Sequence, residues 1–424
     1  MRSLMSNWKE NLGSWHLLQW AFALGLVLVA TGISWSVFLV SNSVIVLSLL
    51  IPFMCSKNGF IPKINVLWKQ DFGEMLQEPL LLSMMLFWAT QFISGYWSDL
   101  PKDWIWFSRM QLPFLLLPFV FYRHAYLTSK LLYAILGIFI VVCFISSLYI
   151  GFDYLQNADF YNLQLLKGKP FVTHISHIRY SMLIAMCALI CLHIFFTNLN
   201  APKIWTKVGL LLCIYFFSFN HLLSAKTGLF SMYLAIIAYM FSGLPAARMQ
   251  TKLFLMLSLL GITFLSYYML PSLQQKIYYT WWQIGEFSRG KWLNYSDIER
   301  WMSIQMGLEM IKQEPFFGCG IGDLYKATAN IYQECLSNEN YKLPHNQFIF
   351  TWAFTGIFGF LSLLSILYFS ALQKTWWRHP LIISIQVILW SSFFVEYTLG
   401  TQIGCSLYVF STLLSWGYLR KMTA

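Results

Sequence analysis

Apolar runs of roughly 18 to 22 residues recur along the chain, separated by short polar breaks. About twelve can be drawn, at 15–33, 34–54, 79–97, 104–122, 131–152, 178–197, 208–222, 226–244, 253–270, 346–370, 381–398 and 400–419. A helix needs about 20 apolar residues to cross a hydrocarbon core. Lipid offers no hydrogen bonds, so a spanning segment must satisfy its own backbone, which a helix does. The pattern therefore predicts an all-α polytopic membrane protein, with residues 1–424 forming a single integral membrane domain. One segment breaks the rhythm. Residues 271–344 are long and polar and predict a mainly helical loop subdomain. Neither an internal repeat nor a low-complexity linker interrupts the series.

That loop has signals of its own. Ser296-Asp297-Ile298-Glu299 reads as a capping box, in which the serine accepts from a backbone N–H and the glutamate reaches back. A helical pattern follows from Arg300 to Gln313, with Lys312 in its last turn and Pro315 as its stop. Gly318, Gly320 and Gly322 then alternate with other residues, a spacing that suits a turn whose N–H groups converge on an anion.

Composition agrees with a lipid solvent. The chain is 58% hydrophobic, 19% aromatic and only 11% charged, against about 25% charged in a soluble domain. Mean hydropathy is +0.58. The polar start, with Arg2, Lys9 and Glu10, runs into an apolar stretch without a small-residue cleavage site, so that stretch reads as a first span, not a cleaved signal.

The net charge of +11 changes the picture only through its distribution. Alternating from a cytoplasmic N-terminus, one side collects Arg2, Lys9, Lys57, Lys63, Lys69, Arg123, Lys130, Lys203, Lys207, Arg248, Lys252, Lys374, Arg378, Arg420 and Lys421. The short loops of the other side carry only Lys102, Lys167 and Lys169. This positive-inside bias puts both termini in the cytoplasm and 271–344 outside. It argues against nucleic acid and for membrane lipid as the partner of the charge. Of eight cysteines, Cys55, Cys143, Cys187, Cys191, Cys213 and Cys405 lie in or beside apolar runs and read as small hydrophobes. Cys319 and Cys335 share the outer loop, where an oxidising compartment would allow them to pair or remain free.

A few charges fall inside or at the ends of spans. Arg109, Arg179 and Lys226 all sit near the outer ends of theirs. A cation at that depth is costly unless it is paired, reaches lipid phosphate or binds a ligand. Three at one depth point to an anionic ligand, with pairing to Asp99, Asp103 or Glu396 as the structural alternative. Glu396 is suited to counter an arginine or to orient a histidine. His345 follows Pro344 at the mouth of the tenth run, and an imidazole there can act as a general base near neutral pH. His174, His177 and His221 lie on the same side. Asp99 and Asp103 would offer two carboxylates to a divalent ion, but no third ligand is evident, so no metal site is assigned.

Three stretches together resemble the O-antigen ligase family. Glu299-Arg300, the helix after it and Pro315-Phe316-Phe317-Gly318-Cys319-Gly320 are similar to its arginine–helix–Pro-x-x-Gly-x-Gly segment. His345-Asn346-Gln347-Phe348-Ile349, followed by Gly356-Ile357-Phe358-Gly359, resembles its His-Asn motif opening a span. Leu223-Ser224-Ala225-Lys226-Thr227-Gly228 resembles a Ser-x-Arg segment, with lysine where the family usually has arginine, so the bidentate fork is lost and the charge kept. The resemblance implies a C-type membrane glycosyltransferase, independent of metal and of any cofactor. It would move a glycan from undecaprenyl pyrophosphate to lipid A–core on the periplasmic face of a bacterial inner membrane. By it, His345 is the general base, and Arg300 and Lys226 hold the donor pyrophosphate. Arg109 and Arg179 are added from their position, and Glu396, Asn346 and Gly320 as supporting residues. O-antigen polymerases and protein O-oligosaccharyltransferases share these motifs and differ in acceptor. A transporter of lipid-linked glycan would also be twelve-helical, but internal repeats and midplane charges are expected of it.

Overall fold

The computed structural model describes residues 17–54, 63–64, 68–124, 127–197, 203–243, 249–289 and 296–423. The polar N-terminal segment, Cys55, Lys57 and Arg248 lie outside the described residues. The described residues are mainly helical, and to the all-α expectation they add one antiparallel pairing, of Phe53–Met54 with Lys63–Ile64.

The helices that build the bundle are α1 (Leu17–Gly32), α2 (Val37–Ser48), α3 (Trp68–Met75), α4 (Pro79–Ser94), α5 (Pro101–Met110), α6 (Pro113–His124), α7 (Ser129–Gln156), α8 (Ala158–Leu166), α9 (His177–Thr197), α10 (Lys203–Leu223) and α11 (Lys226–Gly243). There follow α12 (Met249–Met269), α13 (Pro271–Ser288), α14 (Ser296–Gln313), α15 (Leu324–Leu336), α16 (Gln347–Ala371), α17 (Lys374–Trp377), α18 (Pro380–Ser392) and α19 (Gln402–Thr423). Several start on proline, at Pro79, Pro101, Pro271 and Pro380. Proline lacks only the N–H that a first turn cannot use, and its φ is already helical. Thr128 caps α7 by accepting from the Leu131 N–H at 3.1 Å.

All twelve apolar runs contain helix. Among the described residues six helical stretches have the length and apolarity to cross a membrane, or seven if α12 and α13 form one broken span across their 93° bend. Four further apolar helices are shorter, including α1 and α2. Of the six, α9 is the most enclosed, with 72% of its apolar window buried, and α7 the least, at 33%. So α9 sits at the centre and α7 at the periphery, its outward Val141, Ile145, Leu148 and Phe152 exposed. An apolar face of that size belongs in lipid.

The main core joins α1, α4, α6, α7, α9, α18 and α19. A second, smaller one joins α14 and α15 to α5 and α16 through Phe107, Met306, Met310, Leu324, Ile331, Phe350 and Phe354. The glycine turn is the clasp between them. In α16, Gly356 has φ +67° and interrupts the helix. Residues 316–320 enter that break: Cys319 and Gly320 donate to the carbonyls of Ala353 and Phe354, and Ile357 donates to those of Pro315 and Phe316. A Cβ on Gly356 would lie 2.0 Å from the Phe316 carbonyl oxygen. Only glycine accepts both that approach and that φ.

Candidate active site

Each residue of the His345-Asn346-Gln347 run has a separate structural job. Asn346 caps α16, its Oδ1 accepting from the N–H groups of Phe348 and Ile349 at 3.0 and 3.1 Å. Gln347 donates its backbone N–H to Phe393 and accepts from Leu399 N–H at 2.7 Å, which holds the segment carrying Glu396 and Tyr397 against the helix start. His345, fixed between Pro344 and this cap, lies half-buried.

The ring's surroundings select its tautomer. Nδ1 is 2.9 Å from the Leu343 carbonyl oxygen, which can only accept. Ser303 Oγ, 3.3 Å from Nδ1, already donates to the Arg300 carbonyl at 2.7 Å and accepts from the His345 N–H at 3.1 Å. Nδ1 therefore carries the proton and Nε2 the lone pair. Burial, then the charges of Arg300 and Lys342, push the imidazole down to about 4. At neutral pH it is an uncharged ring with a free Nε2, the form a general base requires. Tyr397 packs edge-on against it with ring centroids 5.5 Å apart.

Around His345 lie cations matched with acids. Arg300, one turn into α14, reaches Glu396 Oε1 at 3.4 Å. Burial raises the Glu396 carboxyl above its usual range, opposed by Arg300 and Arg179. Arg179 on α9 is close enough to act on Glu396 and His345, and its buried Nε has no hydrogen-bond partner among the described residues. Lys342 pairs with Glu299, which was expected to fold back into a capping box. Helix α14 does begin at Ser296, but this glutamate contributes to the site. Lys226 opens α11 and pairs with Asp297, whose Oδ2 also accepts from Gln283 at 3.0 Å. Burial raises the Asp297 carboxyl, but Lys226, Lys276 and Arg300 outweigh it and hold it below the usual range.

These side chains wall a cavity of about 1100 Å³, counting space open to solvent. His345, Arg300, Lys226, Lys276, Lys342 and Lys169 line it, with Tyr279 and His177. A second cavity of about 920 Å³ is almost wholly apolar, lined by Leu229, Tyr233, Leu260, Phe264, Leu273 and Ile277 of α11, α12 and α13. Ser224, Lys226 and Lys276 belong to both walls. A charged chamber and a greasy one thus share one boundary at the turn between α10 and α11.

The structure brings His345, Arg300, Lys226, Arg179 and Glu396 together. Arg109 is apart: it is exposed on α5 and lines neither cavity. Gly320 is not an anion cradle. With φ +89° it packs where a Cβ would meet Ser98 Oγ at 2.4 Å. The N–H groups of residues 318 to 323 are spent on Glu314, Ala353, Phe354, Ser94, Ser98 and Gly320. Asp99 pairs with Lys326 at 2.7 Å, and among the described residues no group of three or more His, Cys, Asp or Glu could hold a metal ion. Cys319 and Cys335 are free thiols in this structure, not a disulfide. Sequence reasoning missed Lys276, Lys342, Asp297 and Tyr279. Lys342 had a signal, three residues before His345. Lys276 had none beyond being a lone cation in the aromatic Pro271–Ser288 helix.

No curated protein matches the chain. Residues 171–364 match the family model described as O-antigen ligase, a stretch that runs from just before α9 into α16 and includes Arg179, Lys226, Arg300 and His345. Over those residues the chain is similar to the O-antigen ligase family.

Proposed function

We propose that this protein is an O-antigen ligase, transferring glycan from undecaprenyl pyrophosphate to a hydroxyl of lipid A–core. The observation that carries the reading is the shared wall of the two cavities. A polyprenyl diphosphate sugar is a charged head on a long apolar tail, and a cationic chamber joined to an apolar groove has that chemical profile. In this reading the chain crosses a bacterial inner membrane about twelve times with both termini cytoplasmic. The segment 271–344 and the charged chamber then face the periplasm.

The chemistry follows from the residues present. His345 Nε2 takes the proton of the acceptor hydroxyl as that oxygen attacks the anomeric carbon. The bond from that carbon to the phosphate oxygen breaks, and the electron pair leaves with the polyprenyl diphosphate. Negative charge therefore grows on the diphosphate, and fixed cations stabilise it most in a water-poor setting. Arg300 is placed for this by Glu396, with Arg179 behind it and Lys226 at the boundary. No step calls for a metal or a cofactor.

The test is reconstitution of the purified protein in lipid with undecaprenyl-pyrophosphate glycan and separate acceptors, with and without EDTA. Transfer to lipid A–core that survives EDTA supports the reading. Consumption of a second lipid-linked glycan, or of a protein hydroxyl, would reassign it to the polymerases or to the protein O-oligosaccharyltransferases. Movement of donor across the bilayer without transfer would make it a transporter.

A further inference from the structure

The acids in and beside the chamber are already engaged: Asp297 with Lys226, Glu299 with Lys342, Glu396 with Arg300. Lys276 has no acid within ion-pair distance among the described residues. Its Nζ stands over the face of Tyr279, 5.6 Å from the ring centroid. It is also one of three residues common to the charged and apolar cavities, and the only one of those three whose charge is uncompensated, since Ser224 is neutral and Lys226 is held by Asp297.

We infer that Lys276 is the cation that meets the donor's diphosphate at the boundary of the two cavities, an inference that rests on the glycosyl-transfer reading above. A donor whose tail lies in the apolar groove and whose sugar lies in the chamber must set its diphosphate at the shared wall. There Lys226 and Asp297 sum to zero, and Gln283 locks the aspartate by donating from Nε2 and accepting from its backbone N–H, each at 3.0 Å. The net positive charge that remains is on Lys276. The family's usual arginine would keep a second face of donors free while pairing with an acid. The lysine at 226 has a single ammonium, and its charge is already met by Asp297. Lys276 thus supplies an uncompensated charge where that of Lys226 is already met by Asp297. Burial, then the nearby Lys226 ammonium, push its own ammonium down to about 8, with the more distant Asp297 acting the other way.

The experiment measures donor KM and kcat in lipid nanodiscs with a synthetic undecaprenyl-diphosphate disaccharide and a saturating acceptor. Lys276→Gln raises donor KM about tenfold or more, the scale of one charge-assisted hydrogen bond to phosphate. Lys276→Met, which keeps the aliphatic stem, gives the same loss, and Lys276→Arg stays within about threefold of the parent. Adding Asp297→Asn to Lys276→Gln frees Lys226 and recovers most of the lost affinity. A donor KM within twofold of the parent in both charge-free variants overturns the inference and leaves the glycosyl-transfer reading standing. A double variant as weak as Lys276→Gln overturns it as well. If the unaltered protein transfers nothing from this donor, the reading itself fails and the inference falls with it.

Discussion

The glycine turn at 316–322 and the chamber around His345 are the two most conspicuous parts of the segment between α14 and α16, and they handle polar groups in opposite ways. In the turn the N–H groups of residues 318 to 322 each have a protein acceptor, and the glycines let backbone enter the break in α16. In the chamber, groups are left short of full satisfaction. Among the described residues His345 keeps a bare Nε2, Lys276 has no acid within ion-pair distance, and Arg179, which lies near but does not line the cavity, has no hydrogen-bond partner at Nε. Polar groups consumed by the fold hold structure together, whereas those held unsatisfied by their surroundings remain available to a ligand.

Substitutions should separate the two regions by what they damage. Arg300→Ala should cost transfer about 100-fold or more, the scale of a lost transition-state cation. It would also strand Glu396, which is only 6% exposed, so Arg300→Lys is the companion variant: it should recover some activity if charge is what matters. Gly356→Ala should instead lower folded protein, because it forces a methyl onto the Phe316 carbonyl and a strained φ costing about 1–3 kcal/mol. The midpoint of thermal inactivation in detergent should fall, with donor KM of the surviving fraction unchanged. A fall in donor affinity at unaltered stability would return the turn to the site.

The pH profile sharpens the contrast. The chamber depresses His345, so the ring stays unprotonated as pH falls below 6.5, where an ordinary histidine would already be charged. Transfer should hold its rate through pH 6 and decline only as pH approaches about 4. An acid limb centred near 6.5 would mean that the base is a solvent-exposed histidine. Smaller effects should follow elsewhere. Lys226→Arg should be tolerated. Lys226→Ala should reduce transfer, but less than Arg300→Ala, since its charge is already shared with Asp297. Arg109→Ala should change neither activity nor stability measurably, because it is exposed and lines neither cavity.

How much of this was legible in the sequence differs by region. The helices were, because apolar periodicity and span length respond to lipid directly, and all twelve runs contain helix. The His345 and Arg300 motifs were also legible, and the fold brings the two together. Arg109 shows what span counting cannot supply. Position along a span gives depth, but the side on which a residue emerges depends on where a helix starts and bends. Here α5 ends at Met110 and the chain restarts at Pro113. The glycines of the turn were read as ligand-binding because spacing reports the freedom of a backbone, not where its N–H groups go. Lys276 was missed for a related reason. Its significance lies in the acids that others have taken, and that becomes visible only once Asp297, Glu299 and Glu396 have found their partners.

The central claim is that His345 takes the proton during glycan transfer, and single-turnover transfer in nanodiscs tests it most directly. Donor is bound first, acceptor is added, and the parent is compared with His345→Ala at equal membrane level and equal donor occupancy. The account predicts that the variant binds donor normally and transfers about 100-fold or more slowly, within the range of a lost general base. Transfer within a few-fold of the parent, with donor bound in both, would contradict it.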